Sequence, residues 1–499
     1  MDTKKTRGNA QHPRKDGMAG GEGPWHRDDA RTEGGSRGRK PQAGKPGSGQ
    51  PRGGRRQDEG KPRASEPRRG GALRHGGARA RQRPIKPVPA RCPKPGDGPC
   101  PLMRVCGSCE LLGLPYRKQL ARKQAAMEEL FGPVLAEHGW NGLAIDPIVG
   151  MGGTAGDEAK LASPRGFRHK AATPFAPGPR GQVRCGLFAR GTHDIIAVPD
   201  CIVEAPGARR ILNEVARAAQ ACGIPAYDED ARRGWLRYAV LRLGWKTDEG
   251  LLTIVTAKRD LPRGREFLER LRVIDPRITT IAQNVNGRVT NAILGSETHV
   301  LAGPPRMRDR LLSCEFEISP TAFYQTNPEQ TEVLYQLAID GMALEMGDVL
   351  MDAYCGSGTI GLAAAREAAD AGRPIRLLGV ERNPAGIEDA NRNAQVNGLA
   401  GTCTFKTMDA TEYMQRAAAR GERVDVLAMD PPRAGSTPEF IAAAASMGPR
   451  RIVYISCNPV TQARDLADLA RHGYRLERLT PVDMFPHTTH VETVAVLTR

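Results

Sequence analysis

The segment Ser456-Cys457-Asn458-Pro459 places a cysteine directly after a run, Arg451 to Ser456, that is typical of a buried strand. A thiolate can add to C6 of a pyrimidine and so give C5 the carbanion character that it needs to attack a methyl donor. Cys457 is therefore a candidate nucleophile. The alternative is a small, buried, unreactive side chain, which is the usual state of a free cysteine.

That chemistry also needs a base, because the C5 proton must be removed before the thiol can leave. The motif His490-Val-Glu492 offers Glu492 as the base, with His487 nearby, and the alternative for Glu492 is a solvated surface acid. A further motif, Asp430-Pro-Pro-Arg433, follows another strand pattern. Many amino-group methyltransferases carry an aromatic residue after Asp/Asn-Pro-Pro that stacks on the target base. Arg433 stands there instead, which disfavours an exocyclic amine as the target.

A glycine-rich segment, Asp352-Ala-Tyr-Cys-Gly-Ser-Gly-Thr359, follows the first strand pattern of the last third of the chain. Gly356 and Gly358 permit a tight turn and a close approach of the backbone to a ligand. Together with Gly361 they match G-x-G-x-x-G, a spacing that a dinucleotide site also has and that is weak evidence alone.

Acidic residues at the ends of strand patterns favour S-adenosylmethionine over a dinucleotide. Asp352 precedes the glycines, where it can face a cationic ligand rather than a pyrophosphate. Glu381 ends the next strand pattern, where a carboxylate can accept both ribose hydroxyls. Asp409 follows a third strand pattern, 403–407, where it could contact the adenine amine. The alternative for each acid alone is a solvated or helix-capping role.

Three cysteines form a compact group, Cys100-x5-Cys106-x2-Cys109, in which Gly107 leaves room for a tight turn. Thiolates at this spacing predict a zinc or an iron–sulfur site, the alternative being unligated thiols. A fourth ligand must come from elsewhere in the sequence. The candidates are Cys201, Cys185 and, as an alternate ligand, Cys92.

The elements that must position these residues alternate between strand and helix in the last third of the chain. This alternation predicts an α/β fold with a doubly wound parallel sheet, in which ligands bind at the carboxyl ends of the strands. The strand patterns lie at 349–352, 377–381, 403–407, 424–430 and 451–456, and helix patterns lie at 361–371 and 385–397. Residues 91–320 mix short strand and helix patterns, among them a helix at 116–131, and predict an α+β region.

The 499 residues have an uneven composition, with 39% hydrophobic residues and a net charge of +17. Residues 1–90 hold 23 Lys and Arg against 9 Asp and Glu, so that this segment alone carries +14. It cannot bury enough apolar surface to fold, and we predict a disordered Arg/Gly/Pro-rich arm. The arm is either a dispensable extension or an electrostatic arm that holds RNA phosphates. We expect three parts: the arm at 1–90, the cysteine-cluster region at 91–320 and a catalytic domain at 321–499.

Two classes of protein are excluded or disfavoured at this stage. No run of about 18 apolar residues is present, which excludes a membrane span, and the first residues lack the apolar core of a signal peptide. Eleven cysteines without an export signal indicate a reducing compartment, where metal binding or catalysis outranks disulfides. We therefore expect a cytoplasmic protein.

Five motifs in this order resemble the class I RNA uracil-5-methyltransferases, which make 5-methyluridine in rRNA and tRNA. The motifs are Phe323-Tyr-Gln-Thr-Asn327, the glycine-rich segment, Asp430-Pro-Pro-Arg-Ala-Gly435, Ser456-Cys457-Asn458 and His490-Val-Glu492, and the resemblance spans about residues 91–499. RNA 5-methylcytosine enzymes carry a second cysteine beside the Asp-Pro motif, and none is present between Asp430 and Gly435.

The resemblance implies a Rossmann-like methyltransferase domain, with Cys457 as the nucleophile and Glu492 as the base. It implies that six residues contact S-adenosylmethionine: Gln325, Tyr354, Thr359, Glu381, Asp409 and Asp430. The family often has Phe in place of Tyr354 and Asn in place of Thr359. Its cluster-bearing members imply a [4Fe-4S] cluster held by Cys100, Cys106, Cys109 and Cys201, the last preceded by Gly191-Thr-His193, although Ser108 replaces a more usual glycine.

The function expected from this resemblance is S-adenosylmethionine-dependent methylation of C5 of a uridine in RNA through a covalent adduct of Cys457 with C6. The cysteine cluster favours 23S rRNA as the substrate, and tRNA is the alternative. Two other classes of function stay open from the residues: a catalytically idle RNA-binding iron–sulfur protein and a nicotinamide-dependent dehydrogenase.

Overall fold

The structure is a computed structural model that describes residues 100–154, 161–289 and 291–499. The predicted arm at 1–90 and the alternate ligand Cys92 lie outside the described residues. No helix in the described part is long and apolar enough to cross a membrane.

The described residues form nine α-helices and a short 3-10 helix at Pro179–Gly181. The helices are α1 (Tyr116–Glu137), α2 (Ala208–Ala221), α3 (Gly264–Arg272), α4 (Pro328–Met342), α5 (Thr359–Asp370), α6 (Pro384–Val396), α7 (Ala410–Ala419), α8 (Pro438–Met447) and α9 (Pro459–Arg471).

The described residues also form nineteen strands. They are β1 (Val149–Gly150), β2 (Gly153–Thr154), β3 (Lys170–Pro177), β4 (Val183–Cys185), β5 (Leu187–Phe188), β6 (Ile195–Ile196), β7 (Leu236–Leu243), β8 (Gly250–Thr256), β9 (Ile278–Val285), β10 (Glu297–Ala302), β11 (Met307–Leu311), β12 (Cys314–Ile318), β13 (Val349–Ala353), β14 (Arg376–Glu381), β15 (Cys403–Thr407), β16 (Val426–Met429), β17 (Arg451–Ser456), β18 (Arg475–Val482) and β19 (Glu492–Thr498).

The larger sheet has nine strands in the order β15-β14-β13-β16-β17-β19-β18-β1-β2. Strands β13 to β17 are parallel to one another, whereas β19 runs antiparallel to both of its neighbours, β17 and β18. Alternate residues face opposite sides: Leu350 and Val453 pack with α4, α5 and α6, whereas Met351 and Tyr454 pack with α1, α7, α8 and α9. The predicted doubly wound α/β domain is confirmed, because strands buried on both faces read as continuous apolar runs.

The smaller sheet has six strands in the order β10-β9-β8-β7-β3-β4. All neighbours are antiparallel except β8 and β9, which are parallel and are connected through α3. Helices α2 and α3 cover one face, where Leu212, Leu271 and Ile254 meet in a shared apolar cluster. This sheet confirms the predicted α+β region. Beside this sheet, the short strand β6 pairs with the short strand β5.

Residues before position 320 also contribute to the larger sheet. Helix α1 begins after Pro115 and buries Leu120, Met127 and Phe131 against the face formed by α7, α8 and α9. Strand β1 pairs in parallel with β18 at Val149 and Val482. Segments on both sides of residue 320 therefore pack into the larger sheet. The boundary at 320/321 between the cysteine-cluster region and the catalytic domain stays a prediction.

Candidate active site

Cys457 lies in a tight connection between β17 and α9. Asn458 caps α9 by accepting a hydrogen bond from Val460 N, and its side-chain amide donates to Arg433 O at 2.8 Å. Ser456 Oγ accepts from Asn458 N at 3.1 Å, which holds the turn on the strand side. Pro459 is the first residue of α9, where its missing N–H costs no helical hydrogen bond. The thiol is thus held at the carboxyl end of the sheet and is partly exposed.

Three charged side chains surround the Cys457 thiol. Burial, together with negative charge on Glu492 and Asp430, raises the pKa of Cys457 to about 12. Arg433 opposes both effects through its charge and through a hydrogen bond with the thiol. The thiol is therefore protonated at neutral pH, and a thiolate forms only if a neighbouring group takes the proton.

Glu492 and Asp430 are coupled carboxyl groups. Glu492 begins β19 and is 4% exposed, and its strand neighbour Thr493 pairs with Ser456, next to Cys457. Burial and the charge of Asp430 raise the pKa of Glu492, and burial raises the pKa of Asp430. A pair of acids whose pKa values are raised toward neutral can accept and release a proton at physiological pH.

Arg433, which in the sequence stands where an aromatic residue would stack on a target base, lies beside the Cys457 thiol. Its positive charge lowers the pKa values of Cys457 and Glu492, and it also disfavours the protonated form of His490. The signal in the sequence was its place directly after Asp430-Pro-Pro, at a strand end that the parallel sheet brings beside Cys457.

His487, which lies near Glu492 in the sequence, is a structural residue. It is fully buried, and both ring nitrogens have partners: Nδ1 lies 3.2 Å from Gln119 Nε2 and Nε2 lies 2.8 Å from Pro164 O. Burial lowers its pKa, so the ring is neutral. His487 therefore has no free ring nitrogen to accept a proton, and Glu492 stays the candidate base on this segment.

The glycine-rich turn has the backbone that its sequence predicts. Gly356 and Gly358 have φ values of 56° and 78°, in the left-handed region that favours glycine. A Cβ on Gly361 would lie 2.7 Å from Asp352 Oδ2, so the start of α5 packs closely against β13. Tyr354 also has a positive φ, 66°, which is uncommon for a bulky residue and occurs at functional turns.

Asp352 differs from its expected role. Its carboxylate is 1% exposed and accepts a hydrogen bond from Gly361 N at 3.0 Å, so it is directed at the start of α5 rather than into a ligand site. Burial raises its pKa to about 7, and the charges of Asp430 and Glu381 add to this effect. The acid that orders the turn is therefore electrostatically linked to the acids of the site.

The other residues expected at the cofactor lie along the same edge of the sheet. Glu381 Oε1 accepts from Asn383 N at 2.7 Å, and Asp409 caps α7 through Oδ1. The Tyr354 ring packs against Phe440, with 5.5 Å between ring centroids. Thr359 Oγ1 lies 2.9 Å from the Tyr335 hydroxyl. Gln325 precedes α4 and is 8% exposed. An acidic rim of this kind suits a cationic ligand that carries hydroxyl groups.

Four cysteines predicted as ligands lie together beside the β5–β6 hairpin. Cys100, Cys106 and Cys201 pack around Leu102, and Cys109 joins Cys201 in an adjoining apolar cluster. Burial raises the pKa values of Cys109 and Cys201 to about 12, and charges on Cys106 and Cys100 act on Cys109. Across the described ranges, no group of three or more His, Cys, Asp or Glu side chains is placed to hold a single metal ion.

Cys185 lies apart from this group. Its thiol donates to Asn213 Oδ1 at 3.3 Å, and the residue packs against the core of the smaller sheet. Of the two cysteines considered as the fourth ligand, the structure brings Cys201 to the other three and leaves Cys185 away from them.

The cysteine-bearing loop packs against the segment that leads to Glu492. Glu110 Oε2 accepts hydrogen bonds from the backbone N and the Oγ1 of Thr489, both at 3.1 Å. Leu111 N donates to His487 O at 2.8 Å. Glu110 and Leu111, which follow Cys109 in the sequence, thus hold residues 487–489. These residues immediately precede the His490-Val-Glu492 motif.

Comparison with known proteins agrees with this site. The family model of the tRNA (uracil-5-)-methyltransferases matches residues 280–499. An uncharacterized RNA methyltransferase of Halalkalibacterium halodurans is 37% identical over 404 residues, which cover 80% of this chain and 83% of that relative. The chain belongs to the RNA uracil-5-methyltransferase family.

Further matches of this methyltransferase agree in length and fold. An uncharacterized RNA methyltransferase of Staphylococcus aureus is 37% identical over 398 residues, covering 80% of this chain and 83% of the relative. The solved structure of Pyrococcus abyssi tRNA (uracil-54, C5)-methyltransferase in complex with S-adenosyl-L-homocysteine is 26% identical, with a TM-score of 0.61, and covers 78% of this chain and 85% of that one. This methyltransferase is an S-adenosylmethionine-dependent enzyme that acts on RNA, and the dinucleotide interpretation of the glycine spacing is not supported.

Proposed function

We propose that this methyltransferase methylates C5 of a uridine in 23S rRNA through a covalent adduct between Cys457 and C6. The observation that carries the proposal is the cluster of Cys457, Arg433, Asp430 and Glu492. This cluster holds a thiol, a cation and a pair of acids with raised pKa values at one point of the sheet edge, which supports the proposal. Covalent activation of a pyrimidine needs these three kinds of group.

The reaction balances with the residues present. The Cys457 thiol gives its proton to the acid pair, and the thiolate forms a bond to C6 while the electron pair of the C5=C6 bond moves toward C5 and O4. C5 then attacks the methyl group of S-adenosylmethionine, and the sulfonium–carbon bond breaks to leave neutral S-adenosylhomocysteine. Finally, while Asp430 holds the proton from the thiol, Glu492 takes the C5 proton, the C5=C6 bond re-forms and the Cys457 thiolate leaves. One of the two protons then returns to Cys457 and the other passes to solvent. Arg433 stabilises the thiolate at both ends of this sequence.

For the methyl donor we assign six residues at the carboxyl edge of the sheet. Glu381 would accept the ribose hydroxyls, and Asp409 would contact the adenine amine with the oxygen that does not cap α7. The other four are Gln325, Tyr354, Thr359 and Asp430. The acids supply negative charge opposite a sulfonium, which favours the charged donor over the neutral product.

The direct test of this mechanism is whether a covalent protein–RNA adduct forms in two variants. Glu492→Gln keeps the size of the side chain but removes its basicity, so a protein–RNA adduct should accumulate in the presence of S-adenosylmethionine and survive denaturing electrophoresis. Cys457→Ala should give neither adduct nor product. If Cys457→Ala still forms 5-methyluridine, the covalent mechanism is wrong.

The choice of RNA rests on the cysteine cluster, and tRNA is a second candidate. The matching family and the Pyrococcus abyssi enzyme are both named for tRNA, which favours tRNA. Nucleoside mass spectrometry on separated 23S rRNA and tRNA, from cells with and without the protein, distinguishes them. Loss of 5-methyluridine from rRNA alone would support the proposal, and loss from tRNA alone would replace 23S rRNA by tRNA.

We also propose a [4Fe-4S] cluster held by Cys100, Cys106, Cys109 and Cys201. The four thiols lie in two adjoining apolar clusters that have Cys201 in common, and four thiolates are the donor set that iron–sulfur clusters use. A tetrahedral zinc, with bonds of about 2.3 Å, needs closely grouped sulfurs, and the described residues contain no such group for a single ion. The cluster would have a structural role. Cys201→Ser should lose the bound iron and sulfide, whereas the matched Cys185→Ser should keep both.

The proposal also assigns a separate function to each of the three parts of the chain. Residues 321–499 would carry the chemistry, residues 91–320 would bind RNA, and the basic residues 1–90 would add phosphate contacts. Deletion of residues 1–90 should weaken RNA binding and reduce its salt dependence, and unchanged affinity at every salt concentration would contradict a role for the arm.

A further inference from the structure

Residues 164–169, which precede β3, form a segment that touches two parts of the active site. Pro164 O lies 2.8 Å from Nε2 of His487, in the turn before the proposed base. At the other end of the segment, His169 N donates to Thr326 O at 2.8 Å, in the motif before α4. The segment therefore lies beside both the turn that leads to the base and the motif that precedes α4.

A buried side chain and backbone hydrogen bonds hold this segment in place. The Phe167 ring is buried in the apolar cluster that adjoins the cysteine group. Gly166 N and Arg168 N donate to the carbonyl groups of residues 202 and 203, at 2.8 and 2.7 Å. Arg165 and Arg168 both keep part of their surface exposed. The backbone thus presents two arginines to solvent from fixed positions.

Arg165 and Arg168 form no ion pair with a carboxylate among the described residues. Arg209 in helix α2 is different, because it is fully buried and pairs with Glu204. A guanidinium has five N–H donors. Two accessible arginines without an acidic partner therefore keep donors available for an external anion.

Arg433 is a third cation near this segment. It contacts the proposed nucleophile and is exposed. Desolvation lowers the pKa of His490, and the charges of Arg433, Lys123 and Arg168 act in the same direction, against the charge of Glu110. Cations from segments far apart in the sequence thus lie near one exposed side chain beside the site.

The interior of the site and its surroundings carry opposite charge. Asp430 and Glu492 are acids with raised pKa values, whereas Arg165, Arg168 and Arg433 are accessible cations. A nucleotide whose base leaves the stack to reach the nucleophile brings its two flanking phosphates to the edge of the site. Negative charge inside the site repels those phosphates, and arginines around it offset the repulsion.

We propose that Arg165 and Arg168 bind backbone phosphates of the RNA beside the target uridine. This rests on the proposed function, because it takes RNA as the substrate, and it deepens that function by assigning the contact to a defined surface. A guanidinium can hold a phosphate through two parallel N–H donors, which match the non-bridging oxygens of a phosphodiester. The contacts of the segment with the turn before the base put these phosphates next to the chemistry.

A different role for Arg168 would be to stabilise the cysteine group. Its charge lowers the pKa of Cys109, against the effect of burial. A guanidinium in that role would favour thiolates that hold a cluster, so iron content is measured together with RNA binding. Arg165 gives an independent reading, because its charge acts on His487 instead.

Equilibrium binding of RNA to the full-length protein, without methyl donor, tests the proposal. Transcripts of 23S rRNA and of tRNA are both measured, and the one that the wild-type protein binds more tightly is used. Arg165→Met and Arg168→Met should each weaken binding about fivefold at about 0.15 M salt. Each should also reduce the slope of log Kd against log salt concentration by about 0.7–0.9, the value for one lost phosphate contact. The double variant should show about twice this change in slope.

The matched control is Arg475→Met, which removes the same charge away from the site. Arg475 is exposed at the end of β18 that pairs with Thr498, whereas Glu492 pairs with Val482 at the other end. This variant should keep the wild-type slope. Arg168→Lys should also keep it, because an ammonium still binds a phosphate as a point charge. Affinity for S-adenosylhomocysteine and iron content should stay at the wild-type values in every variant.

Three results would contradict the proposal. A wild-type slope in both Arg165→Met and Arg168→Met shows that no phosphate binds there. An equal loss of slope in Arg475→Met shows an effect of total charge. Loss of iron from Arg168→Met with a wild-type slope assigns Arg168 to the cysteine group. If Arg168→Met fails to fold, Arg165→Met decides alone. Binding does not require turnover, so the result is independent of whether the adduct mechanism is correct.

Discussion

The edge of the larger sheet and one face of the smaller sheet both gather like charges, but with opposite sign. Asp352, Asp430 and Glu492 are buried acids with raised pKa values. Lys170 and Arg242 are buried cations with lowered pKa values. Burial penalises the charged form in each case, so the sign of the shift follows from the sign of the charge.

The two regions differ in what can relieve the repulsion. The sulfonium of the methyl donor is positive, so binding of the donor should stabilise the acidic edge. Lys170 and Arg242 form no ion pair with a carboxylate among the described residues, and burial lowers their pKa values instead. The predictions below change one group at a time on the acidic side of this comparison, in order of decreasing effect.

The largest effect is expected from Cys457→Ala. This substitution removes the nucleophile, and C5 of a uridine cannot attack the methyl donor without it, so turnover should fall below detection. Methyl transfer from labelled S-adenosylmethionine to RNA measures this directly. Binding of S-adenosylhomocysteine should be unchanged, which separates loss of chemistry from loss of the fold.

Glu492→Gln should lower turnover by about a hundredfold to ten-thousandfold, the usual contribution of a general base. The adduct should accumulate in this variant, because the C5 proton stays in place after methyl transfer. Glu439→Gln, an exposed acid in the first turn of α8, is the matched control and should keep wild-type turnover. Full turnover of Glu492→Gln would assign the base to another group.

Asp352→Asn tests how much the ionisation of this buried acid destabilises the folded protein in the absence of ligand. The pKa of Asp352 is raised to about 7 in the folded protein, so the folded state holds the proton more tightly than the unfolded state. Stability therefore falls as pH rises from about 4 to about 7, by about 4 kcal/mol for this group alone. Asn does not titrate and can still accept from Gly361 N, so the variant should lose this part of the pH dependence.

Chemical denaturation at pH 5 and pH 8 measures the effect on the free energy of unfolding. The difference between the two pH values should be smaller in Asp352→Asn than in the wild type, whereas Asp370→Asn, an exposed acid at the end of α5, should keep the wild-type difference. If the free energy of unfolding depends on pH equally in Asp352→Asn and in the wild type, folding does not raise the pKa of Asp352.

Much of the larger sheet could be predicted from the sequence, since β13, β14 and β17 are apolar runs bounded by turn residues. Parallel strands then place Asp430 and Cys457 at one edge without further information. The contact of Arg433 with the Cys457 thiol could not be predicted, because it depends on the side-chain path across two neighbouring strand ends. The opposition of Lys170 and Arg242 depends on the register of β3 against β7, which periodicity alone does not determine.

The role of Asp352 was mistaken for a similar reason. The sequence places an acid before the glycines but does not say which way its carboxylate is directed. In the structure the carboxylate accepts a hydrogen bond from the N–H of Gly361 at the start of α5, where the helix dipole also favours a negative charge. His487 shows the same limit, because its partners Gln119 and Pro164 lie more than 300 residues away in the sequence.

The smallest effect is expected at the contact between the cysteine-bearing loop and the base segment. Glu110→Gln keeps an acceptor for the two donors of Thr489 but removes the charge that strengthens both hydrogen bonds, at a cost of about 1 kcal/mol. The segment before Glu492 should then be held less firmly, so kcat should fall a few-fold while KM for RNA stays the same. Glu129→Gln, an exposed acid on α1, is the matched control. If iron content falls together with kcat, Glu110 acts through the cysteine cluster instead; if kcat is unchanged, Leu111 and its hydrogen bond to His487 O suffice to hold the segment.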